Sequence, residues 1–417
     1  MGIYRIKNSY LKSFSYLAIE ILTKLIPFLS VPIIVNHTSK SDFGEFSLYL
    51  SLLPILGIVI IGAGQKTAIS RVWVFASEKR TSLLTAITML NSFFVFLVCV
   101  VLLFIFYFLQ ILSFYMLAIS LLVLIAGLAY AFIDLFLQKI ILLGSVITHH
   151  KFYFLKQVLP YIFVLLYILL FKRISGFLLI SIFSISLILV GFIVILPHFR
   201  LLFSNFHKLS IKKWVLYCLY YSKYALISAG SAFVLNFADR SLIAVFNSTK
   251  EVAEYSIAYT VGMILSLLVL ALNKVWQPFI LKNLKEKRFE KIKYYGRLYI
   301  ILVLIFAILL SLFGKQILLF ISNETYLNVA DIIPVIVFGF FFYFLYTLYS
   351  NITFFYKKMH LFYVPAVIAA LLNVILNLIL IPSFGYKIAA WTTLISYMLE
   401  FIMVYYISTI LLKVRIL

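Results

Sequence analysis

Apolar stretches long enough to cross a membrane recur along the whole of this chain, and they constrain its fold more than any other feature. About 20 consecutive apolar residues in an α-helix span the roughly 30 Å of hydrocarbon in a bilayer. Hydrocarbon offers the backbone no hydrogen-bond partner, so only helices and closed barrels cross it, and the alternating pattern of barrel strands does not occur. The residues are 65% hydrophobic and 12% charged. The sequence therefore predicts an all-α polytopic membrane protein.

Twelve transmembrane helices are predicted. They lie near residues 11–36, 43–64, 83–109, 113–136, 152–171, 175–197, 222–246, 253–273, 298–313, 330–350, 361–381 and 387–411. The first of these segments follows several basic residues and lacks a small-residue cleavage site, so we interpret it as a retained span rather than a signal peptide. Polar and basic residues interrupt the apolar run at "FLQILSF" (108–114) and "FKRISGF" (171–177), which predicts two tight hairpins.

The charge of the chain is strongly positive, with 35 Lys and Arg against 13 Asp and Glu and a net charge of +22. In a soluble protein this excess would suggest nucleic acid as a partner, but in a membrane protein it is expected at the cytoplasmic rim. With twelve spans, most of the basic residues, Lys156 among them, fall on the side of the N-terminus. The distribution predicts that both termini are cytoplasmic and that the partners at this rim are membrane lipids rather than nucleic acid.

Several classes of chemistry are not indicated by the sequence. Its two cysteines, Cys99 and Cys218, lie in apolar runs, which argues against a disulfide framework or a metal cluster. No phosphate-binding glycine loop, nucleophile elbow or zinc motif occurs. His149 and His150 have no companion ligands at metal spacing and are predicted to lie in a loop. We therefore expect that the protein is not an enzyme and that it has no cofactor and no metal site.

The chain divides into two halves with a local repeat. The basic stretch "HFRLLFSNFHKLSIKKW" (198–214) falls between the sixth and seventh predicted spans, and "SDFGEFSLYLS" (41–51) aligns without gaps with "KEVAEYSIAYT" (250–260). Both strings open an even-numbered span after an outer loop, which indicates a parallel repeat. We predict a six-helix lobe over 1–197, a cytoplasmic linker over 198–221 and a second six-helix lobe over 222–417, around a central cavity.

Glu20 and Lys24 are the first charges predicted at membrane depth. A charge there costs at least about 2.5–3.5 kcal/mol, so it usually faces a bundle interior or a water-filled cavity. The two residues are four apart and share one helix face. Pro27 and Pro32 remove backbone bonds and are expected to bend this helix. We expect Glu20 and Lys24 to line a substrate cavity; the alternative is a structural pair.

Asp239 and Arg240 are the second such pair, in the string "NFADRSLIAVFNSTKEVAEYSIAY" (236–259). Adjacent helical positions point about 100° apart, so the two are not expected to be simply each other's partner. The planar, always-charged fork of arginine suits a pyrophosphate. We expect one of the two to face the cavity and the other to turn toward a neighbouring helix, in either arrangement, and we take both as candidates for the substrate site; the alternative is that they hold the outer ends of two helices together.

Other polar features allow more than one interpretation. Glu400 and Asp134 are candidates for the carboxylates that couple transport to an ion, or for structural partners. The segment "KVWQPFILKNLKEKRFEKIKYYGR" (274–297) mixes basic and apolar residues, as an interfacial helix on the inner leaflet does.

Three stretches carry a resemblance to a known family: "SDFGEFSLYLSLLPILGIVIIGAGQ" (41–65), the string at 236–259, and "NVILNLILIPSFGYKIAAWTTLISY" (373–397). In the third, an Asn-containing apolar helix is followed by a proline, a Phe-Gly-Tyr turn and the Lys-Ile-Ala-Ala that opens the last span. The chain resembles the polysaccharide-flippase branch of the multidrug/oligosaccharidyl-lipid/polysaccharide (MOP) exporter superfamily, the Wzx-type O-antigen transporters.

This resemblance implies a MATE-like V of two lobes around a cationic cavity in the bacterial inner membrane. The implied activity is alternating-access transport of an undecaprenyl-pyrophosphate-linked oligosaccharide to the outer leaflet, driven by H⁺ or Na⁺ or by removal of the product. The implied partners are this lipid-linked substrate and the polysaccharide polymerase and chain-length machinery. Two alternatives are a MATE-like cation-coupled drug or metabolite antiporter and a membrane scaffold without transport activity.

Overall fold

The computed structural model describes residues 23, 25–61, 78–142, 145–196, 216, 227, 230–356, 360–412, 414 and 416. Every regular element within these residues is helical, and the part of the chain so described contains no strand. The predicted all-α fold is confirmed. Glu20 and Lys24 lie outside the described residues, as does the predicted linker apart from Leu216.

The described residues form thirteen helices, numbered here in chain order. They are α1 (Leu25–His37), α2 (Lys40–Ile61), α3 (Glu78–Phe108), α4 (Phe114–Leu142), α5 (Val146–Phe171), α6 (Gly176–Ile195), α7 (Asp239–Phe246), α8 (Thr249–Lys285), α9 (Phe289–Leu312), α10 (Gly314–Ile321), α11 (Ile333–Phe355), α12 (His360–Phe384) and α13 (Ile388–Tyr406). A π-helical turn, Val234–Ala238, precedes α7, a 3₁₀ segment, Glu324–Ile332, precedes α11, and a second π turn, Ile407–Leu411, follows α13.

Nine helical segments of the described chain are long and apolar enough to cross a membrane. They coincide with nine of the predicted spans, because length and hydropathy are properties of sequence alone. The predicted spans near 11–36, 43–64 and 222–246 correspond to α1, α2 and α7, and each extends beyond the described residues. Large apolar side chains remain exposed on α3 and α9, as expected of lipid-facing surfaces.

Both predicted hairpins are confirmed, and each turns through a residue with left-handed backbone. Gln110 lies in the turn after α3 and has a φ of 59°. Lys172 is the C-cap of α5 and has a φ of 61°. Single residues in this conformation satisfy the last carbonyls of a helix and reverse the chain. The next helix, α6, is capped by Ser175, whose hydroxyl accepts a bond of 3.4 Å from the backbone N–H of Leu178.

Two local predictions were wrong, and one short helix was not predicted. Residues 274–297 form no separate interfacial helix, because α8 continues to Lys285 and α9 starts at Phe289 after a short turn in which Lys287 has a φ of 56°. Basic residues at the ends of two spans produce the same mixed pattern as a surface helix. His149 and His150 lie in the first turns of α5 rather than in a loop. The short helix α10 was not predicted, since eight residues are too few to show a clear period.

The repeat extends to the capping residues of α2 and α8. Ser39 donates to the Asp42 carboxylate (2.5 Å) and accepts from the Asp42 N–H (3.1 Å). Ser248 stands at the equivalent position, donates to Glu251 and accepts from the N–H of Lys250 (3.2 Å). A serine with an acid three residues later is a helix-start signal. The two aligned strings therefore begin their helices in the same way.

Contacts divide the chain into two compact units. The first comprises Met1–Asp42 and Tyr49–Gly230. Its core is built on α4, whose Ala131, Ile133 and Phe136 pack with apolar residues of α2, α3 and α6. Helix α6 approaches α4 closely, because a Cβ at Gly191 would lie 3.0 Å from that of Ala129.

The second unit comprises Phe43–Leu48 and Ser231–Leu417, and α11 packs against both α8 and α13 within it. Its interior contains large aromatic side chains, among them the fully buried Tyr255, Tyr349 and Tyr397. The indole N–H of Trp276 on α8 donates to the carbonyl of Leu348 on α11 (3.3 Å). A buried phenol needs a hydrogen-bond partner, so a core this rich in tyrosine also has to supply polar groups.

We predict that Gly262→Ala destabilises this unit. A Cβ at Gly262 of α8 would lie 2.5 Å from Cγ2 of Ile336 on α11, and overpacking of this kind costs about 1–3 kcal/mol. Gly230→Ala is the matched control, because it makes the same change in a helical residue with open space around it. The melting temperature of the purified protein in detergent should fall for Gly262→Ala and stay level or rise for Gly230→Ala. Equal shifts would contradict the close helix approach.

Candidate functional site

Asp239 and Arg240 start helix α7 immediately after a π-helical turn, and both side chains are buried. Asp239 is 0% exposed and Arg240 is 6% exposed. A π turn places one extra residue in a helix and is frequent at functional sites. Here the π turn Val234–Ala238 sets the direction in which the two charged side chains leave the helix. Arg240 contacts the π turn directly, because its Nη1 donates to the carbonyl of Asn236 (3.0 Å).

The carboxylate of Asp239 joins three helices of the second unit. Its Oδ2 accepts from the hydroxyl of Tyr255 on α8 and from that of Thr393 on α13, each at 2.7 Å. Its Oδ1 accepts from the Nδ2 of Asn377 on α12, also at 2.7 Å. Hydrogen bonds to a charged acceptor are roughly twice as strong as neutral ones. Asp239 is thus turned toward neighbouring helices, one of the two arrangements that the sequence allowed.

A second layer of amides and hydroxyls holds the groups that contact Asp239. Asn377 donates to the Oδ1 of Asn373 (3.2 Å) and accepts from the hydroxyl of Thr392, while Asn373 donates to Thr393 (3.3 Å). Asn373, Asn377 and Thr392 are all fully buried. The network presents oxygen atoms of a carboxylate, two amides and three hydroxyls, which is the ligand chemistry that small hard cations prefer. These residues are the ones that could hold a proton or an alkali cation.

Besides the carbonyl of Asn236, the guanidinium of Arg240 has partners on α8. Its Nε donates to the hydroxyl of Ser256 (3.1 Å), and its Cζ lies 4.4 Å from the centre of the Tyr259 ring. An arginine over an aromatic face is attracted by the ring quadrupole, and more so where water is excluded. Each of the two adjacent charges is therefore stabilised by its own set of groups, as their angular separation predicts.

Tyr397 links the π turn to the aromatic interior. Its hydroxyl donates to the Oδ1 of Asn236 (3.1 Å), and its ring centre lies 5.4 Å from that of Tyr343 on α11. A narrow crevice next to these rings is lined by Tyr255, Tyr259 and Tyr397, among others. Aromatic side chains therefore surround the polar groups of α7.

Asp134, the coupling candidate of the first unit, has a cationic partner. It forms an ion pair with Lys156 of α5, whose side chain is almost completely buried and lies over the Tyr130 ring at 3.3 Å from its centre. From the sequence, Lys156 was predicted to lie at the cytoplasmic rim, and its ion pair with Asp134 was not predicted. A basic residue a few positions into a helix looks the same in sequence whether it faces solvent or a neighbouring helix.

Glu400, the other coupling candidate, lies on α13 and is 2% exposed. Its Oε2 atom is buried and has no hydrogen-bond partner in the described part of the chain. Glu400 differs in this respect from Asp134 and Asp239, each of which has a bonded partner.

The residues around Asp239 were not predicted from the sequence. They are Tyr255, Asn373, Asn377 and Thr393. A signal was present for the two asparagines. They are four residues apart on an otherwise apolar helix and so share one face. No comparable signal marks Tyr255 or Thr393, because single tyrosines and threonines are common in membrane helices. Groups of three or more His, Cys, Asp or Glu side chains that could hold a metal do not occur among the described residues.

Comparison with known proteins identifies the family. A family model for polysaccharide biosynthesis proteins matches residues 10–284, more than half of the chain, and a MatE model matches residues 226–379. An uncharacterized membrane protein of Methanocaldococcus jannaschii is 28% identical over 227 residues, which cover 52% of this chain and 44% of that protein. The chain thus spans less than half the length of this curated relative.

Solved structures share the fold. The lipid II flippase MurJ in an inward closed conformation is similar with a TM-score of 0.73 and 13% identity over 93% of this chain and 86% of MurJ. An inward-facing multidrug resistance MATE transporter gives a TM-score of 0.67 with 12% identity, over 91% of this chain and 92% of the transporter. A mutant of the Vibrio cholerae MATE transporter VcmN gives a TM-score of 0.61 with 15% identity, over 98% of this chain and 97% of VcmN.

The helical spans, the buried polar groups and these matches lead to one assignment. The chain is a multi-pass membrane protein that belongs to the polysaccharide biosynthesis protein family.

Proposed function

We propose that this protein is a flippase that moves an undecaprenyl-pyrophosphate-linked oligosaccharide from the inner to the outer leaflet of the bacterial cytoplasmic membrane by alternating access. Both termini would lie in the cytoplasm. The observation that carries this proposal is the buried Arg240, which is held beside a π turn of a membrane protein of the polysaccharide biosynthesis family. The proposed task needs a protein, because a sugar chain and a charged pyrophosphate cross hydrocarbon only at prohibitive cost.

Arg240 is proposed to bind the pyrophosphate. Its Nε and Nη1 bond to Ser256 and to the carbonyl of Asn236, and these bonds fix the plane of the guanidinium. Arginine has five N–H donors, so others remain for phosphate oxygens when the site opens. A fork that is already oriented loses less side-chain entropy on binding than a free lysine would. Glu20 and Lys24 remain proposed members of the same cavity on the strength of their positions in the sequence.

Asp239 is proposed to couple the helices to an ion, H⁺ or Na⁺. Neutralising the carboxylate weakens its attraction for the three groups that donate to it, and these belong to α8, α12 and α13. The occupancy of the site would therefore bias the packing of three helices at once. A carrier gains net transport only from such a difference in free energy between its states. Asp134 is proposed to have a structural role, because its charge is balanced by Lys156.

A second candidate is a MATE-like cation-coupled drug or metabolite antiporter. The MatE match over residues 226–379 and the MATE folds favour it. An antiporter for organic cations would attract its substrate with acidic groups. Of the two adjacent charges at the start of α7, Arg240 is a cation and Asp239 is occupied by three donors, which favours an anionic substrate. The polysaccharide polymerase and chain-length machinery are the proposed partners in the cell.

We predict that deleting the gene removes surface polysaccharide and leaves the lipid-linked precursor on the cytoplasmic side. Plasmid-borne wild type should restore export. Arg240→Ala should reduce restoration by about tenfold or more, because a charge-assisted hydrogen bond contributes about 1.5–3 kcal/mol. Precursor accumulation and surface polysaccharide are measured in parallel.

Arg288→Ala is the matched control for Arg240→Ala. The Arg288 side chain is exposed and pairs with Glu286 in a turn between helices, so its loss should leave export unchanged. Normal surface polysaccharide in a deletion strain that has no redundant exporter would refute the flippase proposal. If that strain also became sensitive to cationic drugs, the antiporter would be favoured. Full rescue by Arg240→Ala would refute only the role of Arg240.

We predict that Asp239→Asn destabilises the protein by about 1–3 kcal/mol and impairs export. Both carboxylate oxygens accept hydrogen bonds, and an amide replaces one of them with a donor. At least one bond is therefore lost, whichever way the amide is oriented.

Asp331→Asn is the control for Asp239→Asn, since Asp331 pairs with Lys387 at an exposed site, and its loss should change stability by less than about 0.5 kcal/mol. Melting temperature and export are compared between the two variants. Equal values for both would rule out a special role for the Asp239 network.

A further inference from the structure

Glu400 is a buried acid that the proposed pyrophosphate site does not use. It lies in the interior of α13, about 18 Å along the axis from the start of that helix at Ile388. Only 2% of the residue is exposed. A carboxyl at this depth is a potential functional group, because intramembrane acids are costly to retain.

The surroundings of Glu400 contain tyrosines. Tyr343 and Tyr346 of α11 and Tyr397, one turn earlier on α13, are the titratable groups within electrostatic range. The polar residues Asn373 and Asn377 of α12 are bonded to Thr393 and Thr392 of α13, and not to Glu400. Within the described residues, no cation is paired with Glu400, and its Oε2 accepts no hydrogen bond.

The neutral form of Glu400 fits this environment better than the charged form. An ionised carboxylate that is buried without a cation or a set of donors is strongly disfavoured, whereas a protonated acid has no net charge to stabilise. The other buried acids of the second unit differ in this respect. Glu254 accepts bonds from Tyr386 and Asn328, at 2.5 and 2.7 Å, and Asp239 accepts three. Glu400 therefore holds a proton in this conformation.

Tyr397 connects Glu400 to the pyrophosphate site. Its hydroxyl donates to Asn236 in the π turn that supplies the carbonyl bonded to Arg240. If Glu400 lost its proton, the new carboxylate would attract the hydroxyl groups of the three tyrosines. Drawing the hydroxyl of Tyr397 toward Glu400 would break its bond to Asn236 and release the π turn. The proton on Glu400 and the position of Arg240 are thus linked by one shared hydroxyl.

We propose that Glu400 is a proton-binding site whose occupancy controls the π turn at Arg240 through Tyr397. In the step that empties it, the carboxyl O–H bond breaks and the proton passes to water admitted by a conformational change. Rebinding reverses the step, so one proton enters and one leaves in each cycle. The role in transport rests on the proposed flippase function, whereas proton binding itself does not.

The first test observes the proton on the purified full-length protein. Infrared difference spectra between neutral and alkaline samples should contain a protonated-carboxyl band in wild type that is absent from Glu400→Gln. Glu254→Gln is the matched control for a buried but bonded acid and Glu290→Gln for an exposed one, and both should keep the band. Glutamine has the size and neutrality of the protonated acid, so Glu400→Gln is expected to fold. Its melting temperature should vary less with pH than that of wild type.

Two infrared results would overturn the proposal. One is the absence of any such band in wild type, which does not depend on the folding of a variant. The other is an unchanged band in Glu400→Gln. Glu400→Asp keeps the acid on a shorter side chain and should retain a shifted band, which supports the proposal even if the glutamine variant proves unstable.

The second test measures control of export. In the deletion strain, wild-type export should fall when a protonophore is added, whereas Glu400→Gln should export at least tenfold less and respond little to the protonophore. Tyr397→Phe removes only the linking hydroxyl and should reduce export while keeping the infrared band. If Glu400→Gln exported as much as wild type and responded to the protonophore in the same way, Glu400 would not control export. The flippase function would still stand. Normal polysaccharide in the deletion strain would instead refute the flippase, and the infrared result would stand by itself.

Discussion

One carboxylate holds together the polar interior of the second unit. Asp239 accepts hydrogen bonds from Tyr255, Asn377 and Thr393, and so it connects α8, α12 and α13 to the start of α7. In an apolar bundle these donors have no water to turn to, so the hydroxyls of Tyr255 and Thr393 would be left unsatisfied without the carboxylate. Arg240, the next residue, leaves the helix toward Ser256 and Tyr259 of α8.

The second unit therefore contains two kinds of buried acid. Asp239 and Glu254 each accept hydrogen bonds from several side chains, whereas Glu400 lies among tyrosines with a buried oxygen that has no partner in the described chain. This difference separates acids that organise the helices from one suited to exchange a proton. The hydroxyl of Tyr397, which is within electrostatic range of Glu400, donates to Asn236. Transporters need a difference in free energy between states, and a shared hydroxyl is a simple physical means of creating it.

Much of the fold could be predicted from the sequence, but less of the site. Nine predicted spans and both hairpins, at Gln110 and Lys172, agree with the structure, since hydropathy and turn residues are local signals. Asp239 and Arg240 were identified because charges in apolar helices are rare. Their partners were not, because Tyr255 and Thr393 lie on other helices and the sequence does not show which helix faces pack together. Lys156 was assigned to the rim for the same reason: its partner Asp134 lies on another helix.

The sequence by itself determined that this is a helical membrane protein, where most helices run, that two segments resemble each other, and which charges are costly to bury. These properties depend on residues within one turn or one span of each other. Only the tertiary structure decided which groups stabilise those charges: three donors for Asp239, an aromatic face and a carbonyl for Arg240, a lysine for Asp134 and none for the Oε2 of Glu400 within the described chain. The reason is physical, because the stability of a buried charge depends on the groups that surround it in space, and helix packing brings those groups together from distant parts of the sequence.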